Sequence, residues 1–300
     1  MESRLSSLSL SESTHQSPQN SGVKSSPSSV SVSRLWRPAA QRNMKNQWSR
    51  LNSLRHEWIS SSSTARSHAT SLVNAYLSQR HFRKHLLSNF AVNKNALNSS
   101  VNFIYLRLFS ATASELVLHQ DELISSYKDM VTTVVNMVNT SASMRCFLKG
   151  ATNSPFIQFS STSEDTNDNG DGGGIPVFTF YPISTFEKLA WEMVEMFKLE
   201  LYLKRLLVIE FLSLRSKEDP INKRLCWSDE IYEGEFGNLS RCNLDHREAP
   251  ESTFVQPNFQ PDSDILQVYL TAWLTDVNID KLRVDDIFSE VGEDMHVNYV

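Results

Sequence analysis

Residues Glu115 to Lys149 read ELVLHQDELISSYKDMVTTVVNMVNTSASMRCFLK. Leu116, Leu123, Tyr127, Met130, Val134, Met137, Met144 and Leu148 recur at alternating spacings of three and four, with Gln120 and Ser141 the polar intrusions. That period places one apolar stripe on a long α-helix, and Gly150 is the glycine expected to stop it. Fewer than five clean heptads are present, so the stripe predicts packing inside a helix bundle. A coiled coil between chains, and with it a homo-oligomer, is the alternative.

Upstream the same period continues. Arg37-Pro38-Ala39 reads as a helix start, because proline in a first turn lacks only an N–H that has no partner there. Trp48, Leu51, Trp58, Ala65, Ala69, Leu72 and Tyr76 then follow a heptad track, interrupted by Arg55 and Ser62. The run Ser60 to Thr64 has poor helix propensity and is expected to kink or break the helix. A second helix, in one or two pieces, is expected over about His81 to Ser110, with a turn at Asn93 to Ser100. Residues 1–34 hold fourteen serines and few large apolar side chains, so burial cannot offset ordering entropy and a disordered tail is expected.

Downstream of Gly150, residues 155–160 and 175–180 are short aromatic and β-branched runs flanking an acidic, glycine-rich loop. They predict a β-hairpin at about 155–180. Ser184 and Glu187 form a capping-box pattern before a further long helix whose end, Leu206 to Leu214, is apolar nearly all round. Residues 216–261 read as an acidic connection interrupted by Pro220, Pro250 and Pro257. Its Trp227, Tyr232 and Phe236 either pin it to the body or form an exposed docking segment. Asp262 or Ser263 caps a helix through Leu274, and a last helix is expected over about Ile279 to Val291. The expected fold class is mainly α: a bundle of long amphipathic helices with one β-hairpin and a disordered serine-rich N-terminal tail. Its parts are the tail at 1–34, a helical domain at 35–215, the connection at 216–261, and closing helices at 262–300 that pack on the helical domain.

Low glycine and proline contents (9 and 10 of 300 residues) disfavour an all-β sandwich, which needs many tight turns. The three cysteines, Cys146, Cys226 and Cys242, are too few and scattered for a disulfide framework and suit a reducing compartment. No apolar run approaches a membrane span, and the start lacks a secretory h-region. A nuclear or cytosolic location follows, with an organellar transit peptide left open by the serine-rich start.

Net charge is −5, an average over two opposite halves. Arg34 to Ser110 holds twelve Lys/Arg against the single acid Glu57, a balance of +11; Ser216 to Val300 holds seven basic against eighteen acidic residues, a balance of −11. Such asymmetry implies a polyanionic partner for the basic half, a basic partner for the acidic half, or pairing of the two. For a polyanion (nucleic acid or a microtubule), the candidate contacts are Arg42, Lys45, Arg50, Arg66, Arg83 and Lys84, interleaved with tryptophans. Tryptophans at heptad spacing are more simply core anchors, and no named nucleic-acid module is present.

The catalytic and metal motifs fail inspection. Asp165 to Asp171 imitates the first half of an EF-hand loop, but position twelve is Pro176 where a bidentate Glu belongs. The glycines 170 and 172–174 lack the Lys-Ser/Thr pair of a phosphate loop. His81 and His85 share a helix face, but Arg83 and Lys84 lie beside them and no third ligand is evident. No nucleophile elbow or credible Cys–His pair is visible. No catalytic, cofactor or metal residue is therefore assigned. Ser17-Pro18 and Ser26-Pro27 make Ser17 and Ser26 candidate phosphosites. The expected function is that of a non-enzymatic interaction subunit or scaffold, set in a nuclear, chromosome- or spindle-associated complex, with other proteins as partners. Direct polyanion binding through residues 34–94 is the alternative.

Overall fold

In the computed structural model, the described residues are 29–92, 100–145, 174–214, 225–244 and 261–299, with side chains described over 37–88 and 103–145 in the first two. They form six helices: α1 (Ser29–Val92), α2 (Ser100–Ala142), α3 (Ile183–Leu212), α4 (Glu235–Arg241), α5 (Ser263–Thr275) and α6 (Lys281–Met295). At 1.5 Å per residue, α1 runs about 96 Å and α2 about 65 Å.

Three cross-helix pairs set the register of the first two helices. Asn43 donates to the Met144 carbonyl, His68 meets Glu122, and the rings of Phe82 and Tyr105 approach at 6.2 Å. As the number on α1 rises the number on α2 falls, so the two form an antiparallel hairpin. Arg145 pairs with Glu187, and Gln120 donates to the carbonyls of Leu212 (3.2 Å) and Leu214 (3.4 Å). Helix α3 is therefore antiparallel to α2, and the core is an up-down-up bundle.

The apolar stripes meet in its centre. Trp48, Leu51, Trp58, Ala65, Ala69, Leu72 and Tyr76 of α1 are buried, as are Leu116, Leu123, Tyr127, Met130, Val134, Met137 and Met144. Trp48 and Trp58 pack edge-on against Phe288 and Phe197, with ring centroids 5.7 and 5.5 Å apart. Helices α5 and α6 lie end to end in the groove between α1 and α3. Phe211 touches Tyr269 and Trp273 on α5, while Arg283 of α6 forks onto Glu192 of α3 at 2.6 and 2.9 Å.

Two buried ion networks fasten the later segments. Arg205 Nε meets Glu235 Oε1 at 2.8 Å, its Nη1 donates to the Trp227 carbonyl at 2.8 Å, and its Nη2 donates to the Asp229 carbonyl at 2.9 Å. Tyr127 and the Ile231 amide complete the Glu235 carboxylate, each at 2.7 Å. With Trp227 stacked 4.2 Å from the guanidinium and Tyr232 against Tyr127, these aromatics tie residues 225–244 to the bundle. Lys204 pairs with Glu200 (2.7 Å) and Asp276 (3.1 Å) and donates to the Trp273 carbonyl.

Several sequence expectations are corrected. The Ser60–Thr64 run does not end α1, because the packing of Trp58, Ser62 and Ala65 into the bundle overrides its poor propensity; the Ser61 and Thr64 hydroxyls donate back one turn to the Glu57 and Ser60 carbonyls. Pro38 stands well inside α1 and not in its first turn. The stretch His81 to Ser110 is helical in two pieces, the end of α1 and the start of α2, and the turn expected between them falls at 93–99, outside the described residues. The long amphipathic helix begins at Ser100, and its last turn is at Ala142 rather than Lys149. Ile183 opens α3 behind Pro182 with no side-chain cap, so the capping box is not made. Asp262 does cap α5, accepting from the Ile265 amide at 3.1 Å.

The β-hairpin is not found. Residues 155–173 lie outside the described residues, and 175–180 form no strand, with bends at 177–180. The Val177 amide donates to the Tyr181 carbonyl at 2.9 Å, closing a turn, and helices take further backbone groups. The Asp294 carboxylate accepts the amides of Thr179 (3.2 Å), Phe180 (2.6 Å) and Tyr181 (3.3 Å). The Val177 carbonyl accepts from Arg37 (2.9 Å) and Gln41 (2.7 Å). The serine-rich tail expected at 1–34, with Ser17 and Ser26, the loop at 165–171 and Cys146 also fall outside the described residues, except that 29–34 belong to α1.

Candidate protein-interaction surface

The register explains which surface is left over. Helix α3 ends at Leu212, level with Gln120, and α5 begins beside Arg80, whose guanidinium donates to the Pro261 carbonyl at 3.3 Å. Beyond those two points the α1–α2 hairpin continues, and no third helix among the described residues accompanies it.

The projecting part is apolar where a two-helix hairpin has nowhere to bury it. Phe103 (68% exposed), Ile104, Leu106, Leu108, Val117 and Leu118 on α2 are solvent-exposed, with Leu87 (61%) on α1. At 100° per residue, Phe103, Ile104, Leu106 and Leu108 point around most of the helix, so one partner helix can cover only some of them. Within the bundle, by contrast, Leu123 to Met137 is buried at every stripe position. Burying the six α2 side chains would contribute on the order of 5–10 kcal/mol before association costs. That is comparable to the whole stability of an ordinary domain. Single exposed leucines are unremarkable, but a group of this size on one projection is not.

Its rim is basic. Residues 80–88 and 103–114 contain Arg80, Arg83, Lys84 and Arg107 and no carboxylate. His81 and His85 lie here too, their rings 4.5 Å apart, and His85 stacks on Tyr105 at 5.6 Å.

The six candidate polyanion contacts do not come together. Arg42, Lys45, Arg50 and Lys84 are exposed, and Arg66 and Arg83 are half-buried. From Arg42 to Lys84 they spread along roughly 63 Å of α1 and point at different azimuths. Lys45 sits over the Phe178 ring at 5.6 Å. The opposite-charge halves do touch through the Arg55–Asp285 ion pair.

Sequence reasoning saw Phe103 to Leu108 only as part of a second helix. The signal present was the string NFIYLRLF at 102–109, apolar at too many azimuths for an amphipathic face. Elsewhere, a groove of about 330 Å³ opens between α1, α5 and α6, lined by Arg55, Trp58, Phe197, Trp273 and Asp276 among others. The Cys242 thiol is buried, which pushes its pKa up to about 11 and makes it a poor nucleophile. Among the described residues no helix is long and apolar enough to cross a membrane. No protein-family profile and no curated protein matches this chain.

Proposed function

We propose that this chain is an interaction subunit that docks a partner protein on the projecting end of its α1–α2 hairpin. The observation that carries the reading is the exposed apolar group Phe103, Ile104, Leu106, Leu108, Val117 and Leu118 beyond the end of α3. The occupant is an amphipathic helix from another protein, with acids flanking its apolar face. Apolar contact supplies the affinity, and Arg80, Arg83, Lys84 and Arg107, beside the Phe103–Leu108 part of the group, select the charge. The bundle behind serves as a rigid scaffold, pinned by its buried ion networks. A nuclear or cytosolic complex is the proposed setting, supported by the low and scattered cysteine content of the sequence.

The second reading, direct polyanion binding through residues 34–94, is favoured by the exposure of Arg42, Lys45 and Arg50 on one stretch of α1. The two separate in one experiment. Tagged full-length chain is purified from its native cells beside the variant Phe103→Ser/Leu106→Ser, with nuclease and elevated salt. A protein retained by the wild type through both treatments and lost from the variant supports docking at the hairpin end. Recovery that depends on nucleic acid, or that is equal for both chains, refutes it, since counterion-release binding falls steeply with salt and ignores Phe103.

A further inference from the structure

At the root of the projecting hairpin three metal-ligating side chains converge from two helices. His119 and Glu122 lie three apart on one face of α2, and His68 reaches across from α1. Glu122 Oε2 is 2.8 Å from His68 Nδ1 and 2.9 Å from His119 Nδ1. One donor atom from each residue can be chosen so that all three lie within 4.8 Å of one another. A tetrahedral zinc ion with ligands at 2.0–2.2 Å needs its donors roughly 3.3 Å apart. Reaching that spacing requires the three side chains to rotate toward a common centre.

We propose that His68, His119 and Glu122 form a zinc site that braces α1 against α2 where the hairpin leaves the bundle. Two imidazoles and a carboxylate are a donor set that suits Zn²⁺, and water completes the fourth position. The side chains are partly open, at 24% for each histidine and 37% for Glu122, so the ion has a path in and room for that water. The rings of His68 and His119 are 6.3 Å apart at 34°, close without being stacked face to face. The place matters for the reading of the hairpin as a docking surface, although the site does not depend on it. Gln120, between the two α2 ligands, is the residue that contacts the end of α3. A metal here fixes the angle at which the uncovered hairpin departs from the bundle.

Isothermal titration of ZnCl2 into the metal-free full-length chain, in a buffer that does not chelate, tests the site. The expected result is one ion per chain, with affinity at least tenfold weaker in His68→Gln and in His119→Gln and unchanged in Cys226→Ser. Zinc should also raise the thermal midpoint of the wild type and leave that of the histidine variants in place. If either histidine variant does not fold by circular dichroism, Glu122→Gln, which keeps the side-chain volume, is measured in its place. No binding to the wild type, affinity unchanged in the ligand variants, or loss of binding on Cys226→Ser would overturn the proposal.

Discussion

Trp273 Nε1 donates to the Ser62 carbonyl at 3.1 Å, joining α5 to the stretch of α1 with the weakest helix propensity. Trp273 is 1% exposed, and its own carbonyl accepts from Lys204. One residue therefore links α1 through its indole N–H and the Lys204–Glu200 pair of α3 through its main-chain carbonyl. Trp273→Phe keeps most of the packing and removes the donor. The expected loss is about 1–2 kcal/mol, read as a lower urea midpoint with an unchanged slope. An unchanged midpoint would show that the bond adds nothing beyond ring burial.

The Arg205–Glu235 pair makes a larger claim. Both residues are almost fully buried, and the Glu235 carboxylate is satisfied by Arg205, Tyr127 and the Ile231 amide. Arg205→Met leaves a buried carboxylate without its counter-charge and is expected to cost about 3–5 kcal/mol in chemical denaturation. The double change Arg205→Met/Glu235→Leu should recover part of that loss. A double variant less stable than Arg205→Met alone would contradict the account.

Gly292 is a tight position for a different reason. A β-carbon built there would lie 2.6 Å from the Val297 carbonyl oxygen, which is backbone and cannot swing aside. The Val297 amide meanwhile bonds the Gly292 carbonyl at 2.9 Å, closing the end of α6. Gly292→Ala gains helix propensity yet should lower the thermal midpoint by several degrees, because the C-terminal turn must open. A raised midpoint would mean that propensity wins.

Stability should fall on both sides of neutrality. Glu192 is held below its usual 4.5 by the hydrogen bond from Arg283, and Glu122 by that from His119. Lowered carboxyl values give stability that is present above pH 4.5 and lost as pH falls below it. Burial raises Cys242 from 9 to about 11 and Tyr299 from 10 to about 12, and Tyr127 stands well above 10 for the same reason. These groups stabilise the fold below pH 9. The contribution is lost as the pH rises from 9 to 12, because the unfolded chain ionises first. Urea midpoints measured from pH 3 to 11 should trace a plateau with two falling limbs; a flat alkaline side would contradict the burial of Cys242 and the tyrosines.

The helical stripes were legible because each rests on local spacing: Trp48 to Tyr76 and Leu116 to Met144 are buried where the period of 3.6 puts them. What failed was arbitration between local signals and long-range partners. Val177 to Tyr181 has strand-like residues, but its ends close a turn on each other, and Asp294, Arg37 and Gln41, over a hundred positions away, bond other backbone groups of it. Ser61 and Thr64 suggested a break, and their hydroxyls have local acceptors inside the helix. His68 and His119 are fifty-one positions apart, so no spacing rule brings them together. Phe103 to Leu108 was readable as apolar, but its exposure depends on where α3 stops, which is a matter of register between helices.

Docking at the hairpin end is tested most directly by photo-crosslinking in native cells, with benzoylphenylalanine placed at Phe103, at Leu106, and at Leu282 as an exposed control on α6 (77%). The account predicts one discrete protein adduct from positions 103 and 106 and none from 282. Adducts only to nucleic acid, only to a second copy of this chain, or equally from all three positions would contradict it.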